Sequence, residues 1–133
     1  MKAYFLMRQD LEMSPAKLAV QIGHGTDLIH TRHVQHHISS TNFDEWAGGD
    51  DPFTLVPIPG RMANYRRKIV LRVKSEDQLN KLMEKLLDDN IWPDIIKDIG
   101  FTEFDGETVT GLVIHPISDE RVPKYIKRLQ LYK

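Results

Sequence analysis

Two short apolar runs, each followed within a few residues by a helix-start signal, constrain the fold of this chain more than any other feature. Ala3 to Met7 (AYFLM) is aromatic-rich and bounded by Lys2 and Arg8, so it reads as a buried strand. After the loop Gln9–Met13 comes Ser14-Pro15. Ser at an N-cap accepts an orphan backbone N–H, and Pro at the first helical position lacks the N–H that would have gone unpaired, so a helix is predicted from Pro15. Lys68 to Val73 (KIVLRV) is the second run, and Ser75-Glu76-Asp77-Gln78 is a capping box opening a second helix. That helix buries Leu79, Leu82, Met83 and Leu86, and Asn90 is its left-handed stop.

Beyond these two units, Pro93–Asp98 (PDIIKD) is predicted as a short strand, residues 99–108 as a polar loop containing Asp105-Gly106, and Val109–Ile114 as a last strand that ends before His115-Pro116. Ser118–Arg128 is predicted as a final helix with Pro123 within its first two turns. The order βα, βα, ββ, α implies a three-layer α/β/α fold with a mixed four-stranded sheet. With 133 residues the chain is expected to form a single domain, residues 1–133, burying about two-thirds of the surface its unfolded form exposes. Within it, residues 39–64 hold three prolines and three glycines without a sustained period, and read as a long inserted loop with one turn of helix near Phe43–Trp46. The first helix is expected to bury Leu18, Ile22 and Ile29, with Ala19 and Thr26 beside them. Gly23 and Gly25 inside it call for close packing or a break.

Composition removes several chemistries. There is no cysteine, so disulfides, thiolate metal sites and a cysteine nucleophile are excluded. The longest apolar runs fall far short of the roughly 18 residues of a membrane span, and MKAYFLMRQD lacks a signal-peptide cleavage region, which predicts a soluble, cytoplasmic protein without a membrane partner. Lys plus Arg is 18 against 19 for Asp plus Glu, a formal net charge of -1. That near-balance hides segregation. Arg61, Arg66, Arg67, Lys68, Arg72 and Lys74 form a run without acids, and Arg121, Lys124, Lys127, Arg128 and Lys133 make the carboxyl end basic, while Asp44, Glu45, Asp50 and Asp51 gather in the loop. Such runs suit a solvated face, and with Tyr65 among the arginines they also suit phosphate contact with base stacking.

Candidate reactive groups fall in two places. Lys17, Gln21 and His24 follow at steps of four and three, so a helix sets a cation, an amide and an imidazole on one face, with Arg8 and Asp10 in the preceding loop. This spacing fits a solvated helix side; it also fits a site beside the carboxyl end of the first strand, where open α/β sheets place ligands. Asp98-Ile99-Gly100-Phe101-Thr102, at the end of the third strand, fits an ordinary Asx-type turn or a second part of the same crevice. His30, His33 and His37 share a helical face with His36 adjacent, yet only Asp27 offers a nearby carboxylate, so a surface helix is expected there and no metal.

Taken together these segments resemble the type 2 peptidyl-tRNA hydrolase family of archaea and eukaryotes. Arg8 to His24 (RQDLEMSPAKLAVQIGH) is similar to the family's R-x-D-L-x-M-x-x-x-K-x-A-x-Q-x-x-H, and Lys68–Val73 with Ser75-Glu76 resembles its second strand and helix. Ile96–Thr102 (IKDIGFT) resembles its I-x-D-A-G-x-T, and Leu129–Tyr132 (LQLY) its closing L-K-L-Y. The resemblance implies that family's fold and hydrolysis of the ester joining a peptide to the terminal ribose of tRNA, with tRNA as partner, no cofactor, and relatives that commonly pair as homodimers. Carried over, Lys17, Asp98 and Thr102 are the catalytic positions. Asp98 orients or deprotonates a water, Lys17 stabilises the developing negative charge, and Thr102 positions one of them. Asp10, Gln21 and His24 support them, and Arg66, Arg67 and Lys68 are assigned to the substrate. Departures also stand out. The family's G-I-G-P-G after the last strand reads Leu112-Val113-Ile114-His115-Pro116, expected as a bulkier loop, its M-G-K-G-K reads Met13-Ser14-Pro15-Ala16-Lys17, and the alanine of D-A-G is Ile99. A divergent relative that binds tRNA or a nucleotide without turnover is the alternative.

Overall fold

The computed structural model describes residues 2–40, 67–100 and 103–133, with side chains described throughout these ranges except over residues 33–40. Its element order is β1 (Lys2–Arg8), α1 (Pro15–Ser40), β2 (Lys68–Val73), α2 (Glu76–Asp88), β3 (Asp94–Asp98), β4 (Thr108–Ile117), a 3-10 turn (Asp119–Arg121) and α3 (Lys124–Lys127). The expected turn of helix near Phe43–Trp46 and the rest of the inserted loop lie outside the described residues.

The sheet runs β2-β1-β4-β3, with β1 parallel to β2 and β4 antiparallel to both β1 and β3. It is the expected mixed four-stranded sheet. Alternation along β1 divides two cores: Ala3, Phe5 and Met7 pack with Ile29 of α1, Ile96 and Val113 on one face. Tyr4 and Leu6 pack on the other with Leu79, Leu82 and Leu86 of α2 and with Val122 and Ile126. Helices therefore cover both faces in three layers. No described helix is long and apolar enough to cross a membrane.

Both helix starts follow their sequence signals. Ser14 Oγ accepts from Lys17 N at 3.1 Å, and Ser75 Oγ accepts from Gln78 N at 3.2 Å. Gln78 reaches one residue further back than a capping box requires, accepting from Lys74 N at 2.6 Å. Asn90 ends α2 with φ 58. Gly25 marks close packing rather than a break: a Cβ there would lie 2.5 Å from the Phe5 ring and 2.9 Å from Ile96 Cδ1, so the helix rests directly on the sheet. Ala19, expected at the buried face, is exposed, because the stripe that meets the sheet passes through Lys17, Gln21, Gly25 and Ile29.

Two further expectations are corrected. The final helix is broken into the 3-10 turn and α3, because Pro123 has no N–H to continue a helix and holds Val122 extended at φ -68, ψ 120. The stretch Leu112–Pro116 is not a loop after the last strand; it lies inside β4, which continues to Ile117. The strand tolerates Pro116 because the pairing with β1 shifts register between Tyr4↔Ile114 and Lys2↔Ile117, a bulge where a missing N–H costs no ladder bond.

Candidate active site

β1 and β3 both run toward one end of the sheet, since each is antiparallel to β4. At that end the chain leaves β1, turns and enters α1, which carries Lys17 and Gln21 back over the sheet toward Asp98, the last residue of β3. Lys17 Nζ lies 2.9 Å from Asp98 Oδ2, and Gln21 Nε2 donates to the same oxygen at 2.8 Å. Gly100 N donates to Asp98 Oδ1 at 2.7 Å. Gly100 makes this turn at φ +86 with its Cα against the backbone of Gly106, where a Cβ would sit 2.4 Å from the Gly106 carbonyl oxygen. No side chain fits, which gives the glycine after Asp98 a physical reason.

The cluster is dry. Lys17 is 7% exposed, Asp98 6%, Gln21 0% and Thr110 0%. An isolated ionised carboxylate at such depth would protonate. Here the bond from Lys17 is the largest influence; together with the bonds from Gly100 and Gln21 it outweighs desolvation and holds the Asp98 carboxyl below its ordinary value. Lys17 also lies over the Phe104 ring, 5.4 Å from its centroid, a second favourable surface for the ammonium.

Thr110 is a member of the site that the motifs do not include. Its hydroxyl donates to Gln21 Oε1 at 2.8 Å, with the Ile96 carbonyl at 3.3 Å. Because the amide oxygen of Gln21 is committed to Thr110, its NH2 group faces Asp98. The placement comes from a bulge: β3 and β4 shift register between Ile96↔Gly111 and Lys97↔Val109, leaving Thr110 as the extra residue, turned under α1. A signal was present in the sequence, since a glycine inside the strand-like run TVTGLVI points to a bulge or a close approach. Gly111 provides both, for a Cβ there would lie 2.5 Å from the Leu6 carbonyl oxygen.

Other expected residues stand apart from this cluster. His24 is exposed. Asp10 is exposed and held by Arg8, whose Nη2 and Nε donate to its two oxygens at 2.8 and 3.2 Å while Nη1 donates to the Val109 carbonyl at 3.0 Å. Arg8 thus ties the β1 end to β4 beside Thr110. Arg67 precedes β2 and Lys68 begins it, pairing with Ala3 at the sheet end opposite Asp98. Thr102 and Arg66 lie outside the described residues, as do the side chains of His33, His36 and His37. Among the described residues no cluster of three metal-ligating side chains occurs.

The family model for peptidyl-tRNA hydrolase PTH2 matches residues 1–132. The chain belongs to this family. Among PTH2-related archaeal proteins, it is 29% identical over 132 residues to the peptidyl-tRNA hydrolase of Haloquadratum walsbyi, covering 99% of this chain and 100% of the relative. It is 30% identical to that of Sulfurisphaera tokodaii, covering 98% and 97%, and 27% identical to that of Methanocaldococcus jannaschii, covering 98% and 99%. The PTH2 match spans β1 through the carboxyl tail, so the Lys17–Asp98 pair and the Thr110 bulge both lie within it. Its mixed α/β sheet is the fold expected of a PTH2 protein. Ile99, where the family motif has alanine, is 64% exposed and so adds an apolar surface beside Asp98.

Proposed function

We propose that this protein hydrolyses the ester joining a peptide, or an N-blocked aminoacyl group, to the terminal ribose of tRNA, freeing the tRNA for reuse in the cytoplasm. The observation that carries this reading is the buried pair of Lys17 and Asp98 in a PTH2 chain, with Gln21 and Thr110 fixing its geometry.

Water is the nucleophile in this reading. The Thr110 hydroxyl is fully buried and already bonded to Gln21, so it is not placed to attack a bulky ester. Asp98 Oδ2 accepts from Lys17 and Gln21, whereas Oδ1 accepts one described bond and keeps a lone pair for a water. The water oxygen bonds to the ester carbonyl carbon, its proton passes to Asp98, and negative charge develops on the carbonyl oxygen. As that charge develops, Lys17 turns from the carboxylate toward the carbonyl oxygen. The same movement removes the contact that keeps Asp98 weakly basic, so the carboxylate gains basicity as the transition state needs it. Collapse of the intermediate breaks the bond to the ribose oxygen, which takes the proton and leaves. Thr102 belongs to this proposal as a positioning group for the water or for Lys17.

Incubation with N-acetyl-aminoacyl-tRNA tests it. Release of free tRNA and N-acetyl amino acid is expected, and is expected to fail with Lys17→Met. Tight tRNA binding with no product from the unaltered protein would replace hydrolysis with binding alone.

A further inference from the structure

The basic run of β2 and the basic carboxyl end, separate in sequence, meet around one cavity. After α3 the tail returns along the free edge of β2: Arg72 N donates to the Gln130 carbonyl at 2.9 Å, Tyr132 N donates to the Val70 carbonyl at 2.9 Å, and Leu71 bridges Leu131. This brings Arg128 beside Arg72 and Lys74, which with Gln9, Gln78 and Gln130 line a cavity of about 490 Å³. None of the three cations forms a salt bridge to a described carboxylate. Three like charges around one solvent-filled concavity repel one another, and an anion in it relieves that repulsion. Two guanidinium forks supply paired donors suited to phosphate oxygens, and the ammonium adds a point charge. Gln78 has its amide oxygen committed to Lys74 N, so its NH2 group is the end left for a ligand.

The cavity shares an end of the sheet with the catalytic pair. Gln9 N donates to the Val73 carbonyl at 2.8 Å, which closes the carboxyl ends of β1 and β2 together. Arg72 alternates with Val70, whose side chain packs in the α1-side core, so Arg72 shares the sheet face of Asp98. Asp98 and Val73 lie on opposite edge strands of the four, three interstrand spacings or about 14 Å apart. We propose that the cavity formed by Arg72, Lys74 and Arg128 is a binding site for backbone phosphate of the tRNA substrate, close to its esterified end. The assignment rests on the tRNA reading above and refines it: Arg67 and Lys68 stand at the start of β2, at the other end of the sheet, so the second half of the basic run, with the tail, faces the substrate.

Equilibrium binding of deacylated tRNA by fluorescence anisotropy, between about 50 and 200 mM salt, separates this site from the chemistry. The double variant Arg72→Gln, Arg128→Gln is expected to weaken binding and to lower the slope of log affinity against log salt by about 1 for each lost contact. With N-acetyl-aminoacyl-tRNA the same variant is expected to raise KM and leave kcat unchanged. Lys81→Gln, an equal change of charge on an exposed residue of α2, is expected to leave the slope as it is. The single variant Arg128→Gln, at an exposed side chain outside the sheet, carries the test if the melting temperature of the double variant falls. An unchanged slope and KM would overturn the site, and so would inorganic phosphate occupying the cavity without competing against tRNA, the mark of a small-anion site. A protein that binds tRNA with the altered slope but releases no product in unaltered form retires the hydrolase reading and keeps the phosphate site.

Discussion

Lys17 and Asp98 meet at 2.9 Å across the gap between α1 and the end of β3, both side chains buried, although 81 residues separate them in the chain. Removing one partner of such a pair leaves the charge of the other uncompensated, which lowers stability. Keeping both holds the Asp98 carboxyl below its ordinary value, first through the Lys17 bond.

Lys17→Met removes the cation and keeps most of its volume. If Lys17 stabilises the oxyanion, kcat falls about 10²–10³-fold, the size of effect seen when one such donor is lost. The Asp98 carboxyl, deprived of its strongest stabilising bond, rises from its lowered value. Carboxyl-carbon NMR titration of the variant reads that rise directly, and an unmoved Asp98 titration would contradict the pairing.

The acid limb of activity follows from the same bond. In the proposed mechanism hydrolysis needs Asp98 ionised, and its folded-state pKa is lowered, first through the Lys17 bond. Activity is therefore expected to persist below the ordinary carboxylate range near 3.9, falling only as pH drops through the lower folded value. Stability carries the same sign. The contribution of Asp98 is complete above its unfolded value and is lost as pH falls through the folded one. In Asp98→Asn this portion of the acid sensitivity is absent, as circular dichroism melts between pH 5 and pH 2 would register. An acid limb centred well above 4 in the unaltered enzyme counts against the assignment.

Thr110→Val deletes the hydroxyl that orients Gln21 and leaves the buried Oε1 without its donor. Thr110 acts through Gln21, so a loss of about tenfold in kcat with KM unchanged is expected, equivalent to about one hydrogen bond of roughly 1.4 kcal/mol. Thr110→Ser restores the hydroxyl and is expected to recover most of the rate. Equal losses in both variants would make the role one of strand packing.

Gly25→Ala puts a methyl group 2.5 Å from the Phe5 ring and 2.9 Å from Ile96 Cδ1. Overpacking costs about 1–3 kcal/mol, and the gain in helix propensity offsets at most about 1. A lowered melting temperature is expected; an unchanged or raised one would show that α1 can lift off the sheet at no cost.

Much of this was legible along the chain. Ser14-Pro15 and the Ser75–Gln78 box located both long helices because capping is a local matter of which side chain reaches which N–H. The alternation in AYFLM and KIVLRV marked the strands, and the motifs around Lys17 and Asp98 identified the two residues that meet. Non-local facts were harder to read. The burial of Lys17 and Gln21 depends on α1 lying over β3, so a stripe that looks polar in sequence is an inward face, while His24, one helical step further, is turned to solvent. Thr110 looked like an ordinary strand residue until the register shift at Gly111 aimed it inward. The final helix failed because Pro123 interrupts it, a local signal that a continuous helix over Ser118–Arg128 overrode. The basic residues that share the site end of the sheet, Arg72 and Arg128, are adjacent only because the tail docks on the β2 edge.

The most direct measurement is the single-turnover hydrolysis of N-acetyl-aminoacyl-tRNA by the unaltered protein and by Asp98→Asn, with tRNA binding measured in parallel. Asp98→Asn keeps the shape of the side chain and removes its charge. The rate is expected to fall by about 10²–10⁴-fold, the usual contribution of a positioned acid or base, with tRNA affinity retained. An undiminished rate in Asp98→Asn would contradict the account at its centre.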